Sequence, residues 1–404
     1  MLLKISFRNV FRNRRRSLIT LLVLVMGATG MILFGGYKEV NFYGLRETTI
    51  RNRLGHLQIY KLGSSTAESD KPLEYGLEDV QSIRKRIEQD PRVSMTAAQI
   101  TLMGLISNGD KSETFLGTAV EPSKDARMQA QRLVSGREPT DKELDTLIVG
   151  QGLARSMKVR NGDYLTLMTT TVTGSLNAMD FQVVGTFATG VKEYDDRAVK
   201  MPLGGAQLLL NTKKIEKLLI MLKKTDETED VAADLRILAA KEKWPVEMKS
   251  WSELATFYHQ VVLIFNGIFG FIGIIVFVIV VLSVANTIMM SIFERTREIG
   301  TLMAIGTKRR RVWLMFLFEG MIIGLLGGVL GLLFGTGVAQ LINLAHIQLP
   351  PPPGYTTGYP LRIMLKSSIL VSAFLLAWVT ATLSSIYPAL RASRLRIVDA
   401  LGHI

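Results

Sequence analysis

The chain contains no cysteine and only four histidines. Without thiols it can form no disulfide, no thiolate metal site and no cysteine nucleophile. His56, His259, His346 and His403 are scattered without ligand spacing, so no metal site is expected. The segment 300–308 superficially resembles a phosphate loop. Its glycine spacing is wrong, however, and Lys308 is followed by Arg309 rather than Ser or Thr, which excludes nucleotide binding there. Glu193, Asp195 and Asp196 cluster without a partner His or Ser pattern and read as a solvated loop, not an acid–base site. No catalytic residue is expected. Charge is scarcest in four long stretches, 18–34, 261–292, 312–344 and 367–386, and these decide the class.

About 20 apolar residues cross a hydrocarbon core of about 30 Å, and each stretch can supply them. The first is longer than the 7–15 residues usual for a secretory signal, so it reads as a retained span. The net charge of +13 is concentrated beside the spans. Lys4, Arg8, Arg12 and Arg14–Arg16 precede the first span. Arg295, Arg297 and Lys308–Arg311 lie between the second and third, and Arg391, Arg394 and Arg396 follow the fourth. Short basic loops stay cytoplasmic, so both termini and the 294–311 link are expected inside. Because the arginines abut spans rather than interleave with aromatics, a nucleic-acid partner is not expected.

The expected organisation follows: 1–16, a cytoplasmic interfacial helix; 17–37, the first span; 38–258, an extracytoplasmic domain; and 259–293, the second span. Then come 294–311, a cytoplasmic link; 312–345, the third span; 346–366, an outer loop; 367–387, the fourth span; and 388–404, a cytoplasmic tail. Residues 2–12 place Leu3, Phe7, Val10 and Phe11 on one helical face beside Lys4, Arg8 and Arg12, the pattern of a helix lying on anionic lipid. In the large domain, 77–89 reads as helix, and 100–107 with 113–119 as a hairpin around Asn108-Gly109-Asp110. Residues 146–157 begin apolar and turn helical, 164–170 and 181–187 read as strands, and 215–223, 229–243 and 246–249 as strand, helix, strand. Gly63 to Pro72 is a loop. The fold class is thus membrane α-helical, with four transmembrane helices and a large extracytoplasmic α+β domain. That domain comprises a ferredoxin-like part built from the two ends of the segment and a β-rich insertion.

Two features stand out in the membrane part. Gly320, Gly324 and Gly328 share one stripe of the third span, and Gly327, Gly331 and Gly335 an adjacent one. Small residues let helix backbones approach where lipid offers no hydrophobic drive, so both stripes read as contacts, within one subunit or between two. Glu319, near the start of that span, is expected to reach water or pair with an arginine of 308–311. Between the second and third spans, Glu294 to Gly306 is charged in its first turn, apolar later and closed by a glycine. It reads as a short amphipathic helix that can enter a groove of a cytoplasmic partner.

The run Glu294-Arg-Thr-Arg-Glu-Ile-Gly-Thr-Leu-Met-Ala-Ile-Gly306, with Glu319-Gly320 and the glycine-rich span, resembles the permeases of the MacB-type (type VII) ABC superfamily. Arg8 to Ser17, Tyr387 to Arg394 and Asp399-Ala-Leu401 are similar to the same family. Phe181 to Phe187 and Leu349 to Gly354 look closest to lipoprotein-releasing (LolC/LolE-like) permeases. The resemblance implies a multi-pass protein of the bacterial inner membrane that pairs with a second permease, identical or not. It implies a separate cytoplasmic ABC ATPase, which alone holds ATP and Mg, since nothing before Leu18 could contain one. This ATPase would be docked through Glu294, Arg295, Arg297 and Glu298, with Gly300 and Gly306 shaping the coupling helix. It implies transmission of that work to the periplasmic domain, and cargo such as lipoprotein admitted from membrane lipid between the first two spans, at Phe34, Phe265, Phe269 and Phe271. A periplasmic lipoprotein carrier would accept it, although residues 171–180 look too short for a carrier-binding hook. The alternatives are an FtsX-like regulator of an extracytoplasmic partner and a MacB-like efflux permease.

Overall fold

The computed structural model describes residues 6–8, 14–64, 73, 76–124, 132–351, 353–356, 358–397 and 400. Most of the interfacial helix expected at 2–12, of the 63–72 loop and of the 399–401 motif lies outside them. The chain divides into two compact units. One comprises Met1–Tyr43, Val261–Leu349 and Pro360–Ile404; the other comprises Gly44–Gln260 and Pro350–Tyr359.

Among the described residues, four helices are long and apolar enough to cross a membrane: Arg14–Thr49, Thr256–Glu294, Arg309–Leu344 and Ser367–Ser393. The 36 residues of the first extend about 54 Å at 1.5 Å each. It therefore continues as helix well past the span boundary expected at 37, because no proline interrupts it. It ends in a π-helical turn, Ile50–Leu54, closed by Gly55 at φ +64°. A short link helix, Thr296–Ala304, joins the second and third long helices. Beyond the third, Asn343 closes a two-bond amide ring with Ile363, donating to its carbonyl at 2.9 Å and accepting from its N–H at 2.8 Å. Met364 N–H donates to Gly36 O, and Lys366 pairs with Glu39 at 2.8 Å.

The second unit is built on ten strands: β1 Leu57–Lys61, β2 Val93–Ser107, β3 Ser112–Val120, β4 Arg132–Gly136, β5 Thr146–Gly150, β6 Tyr164–Thr170, β7 Leu176–Ala188, β8 Ala198–Pro202, β9 Lys217–Leu222 and β10 Val246–Ser250. The order β10-β1-β9-β2 is antiparallel throughout, and helices Val80–Ile87 and Thr228–Lys241 connect β1 to β2 and β9 to β10. That is the ferredoxin-like arrangement. The remaining strands form the insertion. β2 pairs β3, β3 pairs β8, β8 pairs β5, β5 pairs β7, β7 pairs β6, and β6 returns to β2, so six strands close a ring, and β4 adds to β7 as an edge strand. The two parts share β2. Its first half pairs β9 from Val93 to Gln99, and its second half pairs β3 from Gln99 to Ser107. One apolar core runs through both, from Leu57, Ile59 and Ile87 to Phe115, Leu167 and Phe181.

Several local expectations change. Strands β1, β4 and β8, the first half of β2 and the helix Leu203–Leu209 were not anticipated. Residues 171–175 form a tight turn, with Thr171 N–H donating to Ser175 O at 2.7 Å, and β7 resumes at Leu176. Asp195 is buried rather than solvated. It caps its own turn by accepting from Thr189 N–H and Thr189 Oγ1 at 3.0 and 2.7 Å. The tip of the 345–366 loop belongs to this unit: Tyr355 bridges Val191, and Lys192 N–H donates to Gly354 O at 2.8 Å.

The joints to the long helices sit at one end of the sheet. β1 begins where the first helix stops and β10 ends just before the second begins, and Leu57 pairs Ser250. His56 is buried there. Its Nδ1 accepts from Leu222 N–H at 3.1 Å, its Nε2 lies 3.1 Å from Thr225 Oγ1, and that hydroxyl donates to Glu47 at 2.8 Å. Arg46 and Arg51 pair with Asp226 and Glu47, both at 3.1 Å. Ions and a neutral imidazole thus tie the end of the first helix to the turn after β9.

Candidate functional site

The link helix presents two faces. Thr296, Ile299, Gly300 and Met303 are buried against the long helices, whereas Glu294, Arg297, Glu298, Leu302 and Ile305 are exposed, Ile305 by 79%. An exposed isoleucine and leucine near two acids and an arginine give this face an apolar end and a charged end. Gly306 ends the helix at φ +96°, donating to Met303 O at 3.0 Å, a conformation that L side chains resist.

Arg295 does not lie on that face. It is 8% exposed, donates from Nε to Glu298 at 3.0 Å and stacks over Phe316 at 5.9 Å. Like Gly300, it is turned into the chain rather than presented on the exposed face. Glu319 also departs from expectation. It is 5% exposed, and its ionic neighbour is Arg295, 3.9 Å away, while Arg309, Arg310 and Arg311 stay exposed. The helical hairpin brings Arg295 across. The three arginines sit on their own helix more than two turns away from Glu319 and point outward.

The glycine stripes of the third helix meet two different neighbours. A Cβ on Gly320, Gly324 or Gly328 would fall 2.5–2.8 Å from Ser385, Ala381 or Phe374 of the fourth helix. One on Gly327, Gly331 or Gly335 would fall 2.6–2.8 Å from Leu24, Ala28 or Ile32 of the first. Both stripes face helices of the same chain, and the missing side chains are what lets three helices nest.

The first and second helices meet at two levels. Thr20 Oγ1 donates to Thr287 at 2.7 Å at one, and Lys38 Nζ donates to Asn266 at 3.2 Å at the other. Around the latter, Phe34 lies 6.1 Å from Phe269, which lies 6.1 Å from Phe265. Phe42, which sequence reasoning passed over, adds an edge-on contact to Phe265 at 6.3 Å. Phe271 joins none of these contacts and is 66% exposed. Gly27, Val276 and Val280 line a small crevice with Ala373 and Ala377.

Residues 17–238, more than half of the chain, match the MacB-like periplasmic core domain, and residues 270–397 match the FtsX-like permease C-terminal domain. The chain belongs to the MacB-type family of ABC permeases. This permease is 23% identical to the macrolide export ATP-binding/permease protein MacB of Bdellovibrio bacteriovorus, over 98% of this chain and 61% of that protein. It is 22% identical to an uncharacterized ABC transporter permease of Methanocaldococcus jannaschii, over 98% of this chain and 96% of that one. It is 23% identical to the lipoprotein-releasing system transmembrane protein LolC of Xylella fastidiosa, over 78% of this chain and 79% of LolC. The permease therefore spans less than two thirds of the first of these relatives. Like the family, it is a multi-pass membrane protein with a mixed-sheet core domain.

Proposed function

We propose that this permease is a type VII subunit that receives force from a separate ABC ATPase and delivers it to its core domain. The observation that carries the reading is the link helix, with one face packed on the chain and the other, with Arg297, Glu298, Leu302 and Ile305, exposed. In this reading ATP and Mg sit on the ATPase, and the link, both termini and the exposed arginines at 309–311 and 391–396 face the cytoplasm. The core domain faces the periplasm across a bacterial inner membrane. A second permease, identical or related, completes the complex.

The cargo we propose is amphiphilic; the name of LolC places that protein in a lipoprotein-releasing system. Extracting acyl chains costs about 0.8 kcal/mol per buried CH₂, which makes coupling to ATP hydrolysis reasonable. The aromatic seam of Phe34, Phe265 and Phe269 would be its entry, and a periplasmic carrier its acceptor. A second reading, regulation of an extracytoplasmic partner without cargo, is favoured by one observation: ring contacts and the Lys38–Asn266 bond close that seam. The test is to co-purify the permease with its ATPase in nanodiscs holding a lipoprotein. Arg297→Glu should abolish ATPase capture. ATP-dependent release of lipoprotein supports transport, and release-free stimulation of ATPase by a periplasmic partner supports regulation. Normal ATPase capture by Arg297→Glu and Ile305→Asp together would overturn the docking assignment.

A further inference from the structure

Glu319 is a carboxylate in a spanning helix, 5% exposed, with its Oε2 accepting no hydrogen bond among the described residues. A buried anion inside a membrane segment is expensive unless paired, and such groups mark function more often than packing. Its counter-ion, Arg295, stands at the N-cap of the link helix, directly after the second long helix. That guanidinium is divided. Nε is fully engaged by Glu298 at 3.0 Å, whereas Nη1 stops 3.9 Å from Glu319, close enough to attract but too far to hydrogen-bond. Phe316, one turn before Glu319, holds the guanidinium plane at 5.9 Å. One cation is therefore shared by two acids of opposite character: Glu298 is exposed on the docking face, and Glu319 is buried on the third helix.

We infer that Arg295 and Glu319 are positioning residues that set the link helix against the third helix, and that Glu298 competes with Glu319 for the same guanidinium. The inference rests on the docking proposed above, because a partner that takes hold of Glu298 is what frees Arg295. Once freed, Arg295 closes on Glu319 by about 1 Å to a charge-assisted hydrogen bond. The link helix then moves toward the third helix, and the end of the second helix follows it. A contact on the surface becomes a displacement inside the bundle, without the partner touching Arg295.

The absence of native cysteine makes the test direct. Spin labels at Thr301→Cys on the link helix and Leu330→Cys on the lipid-facing side of the third helix report their separation in the full chain in nanodiscs. Without any ATPase, Glu319→Gln should broaden the distance distribution about twofold, since the shared cation loses its inner partner. Glu298→Gln should instead shift the mean and narrow the distribution, as Arg295 closes inward. Arg295→Met with Glu319→Met removes both charges and guards against simple misfolding. It should keep the wild-type unfolding midpoint yet show the broad distribution. An unchanged width in Glu319→Gln or in the double variant, or an unchanged mean in Glu298→Gln, overturns the inference. Added ATPase should reproduce the Glu298→Gln shift in the wild type. If the ATPase does not bind at all, the docking reading fails, while the ATPase-free arms still decide the role of the pair.

Discussion

Adding one methyl group at Gly331 or Gly324 tests whether the glycine stripes hold the helices of a single chain together. On Gly331 the new carbon would lie 2.6 Å from Ala28 Cβ, and on Gly324 it would lie 2.8 Å from Ala381 Cβ and 3.1 Å from Trp378 O. Carbon atoms rest about 3.5–4.0 Å apart, so each helix pair must part by about 1 Å, which forfeits a quarter to a half of the local dispersion. Overpacking of this size costs about 1–3 kcal/mol, and alanine returns about 1 kcal/mol of helix propensity. Gly337 supplies the control, because nothing lies within 4 Å of its added carbon. Gly331→Ala and Gly324→Ala should therefore each be about 1–3 kcal/mol less stable than Gly337→Ala in reversible unfolding of the full chain in mixed micelles. The two sites lie seven positions apart and face different helices, so their costs should add to within about 0.5 kcal/mol. The association of two copies, read by cross-linking, should not change. If both variants match Gly337→Ala, or weaken association while leaving unfolding untouched, the stripes serve a contact other than the one seen here.

Three further outcomes follow from the geometry. Leu302→Asp and Ile305→Asp replace exposed side chains, so unfolding should stay within about 0.5 kcal/mol of the wild type, while ATPase capture in pull-down falls about tenfold or more. Gly306→Ala meets no atom within 4 Å but must hold φ +96°. It should strain the end of the link helix by about 1 kcal/mol or more, weakening ATPase capture several-fold and sparing the core domain's unfolding transition. Burial lowers His56 to about 4, with Arg51 and Arg46 adding to the shift and Glu47 opposing it. The unfolded chain therefore binds more protons than the folded one between about pH 4 and 6.5. Stability is full above about pH 6.5, falls as the pH drops, and has lost at most about 3 kcal/mol below pH 4. The unfolding midpoint of the full chain at pH 7.5 and 4.5 should differ less in His56→Asn, whose amide oxygen can still accept from Leu222 N–H.

The parts of this fold legible in sequence are those where one physical requirement leaves one pattern. Glycine at every fourth position of a spanning helix has few uses besides close approach, and both stripes could be read, though not which helix each would meet. The strands that escaped notice lack such a pattern. In β8 all five residues are buried, including Lys200 over the Phe187 ring and Pro202, so neither alternation nor apolar continuity announces a strand. The first half of β2, Val93 to Gln99, mixes small, polar and apolar residues, and from Thr96 to Gln99 all are buried, so its burial does not alternate. Residues 132–136 are wholly exposed at the sheet's edge. The Arg295–Glu319 pair was hidden for another reason: residues near in sequence invite pairing, but a helical hairpin selects partners by depth in the bundle.

The pairing of β1 with β10 limits how the two strands can move against each other. β1 and β10 are paired over five positions, from Leu57 with Ser250 to Lys61 with Val246; β1 follows the first helix after a π-helical turn, and β10 is followed by a short helix, Trp251–Leu254, before the second. Sliding one helix end past the other by a single residue would put every side chain of that ladder on the wrong face, burying Lys249 and Glu247 in place of Met248. The ladder therefore resists shear, and the first helix has only its π-helical turn, Ile50–Leu54, in which to absorb a change of pitch or rotation. Arg46, Glu47 and Arg51, anchored on Asp226, Thr225 and each other, brace the backbone before and within that turn.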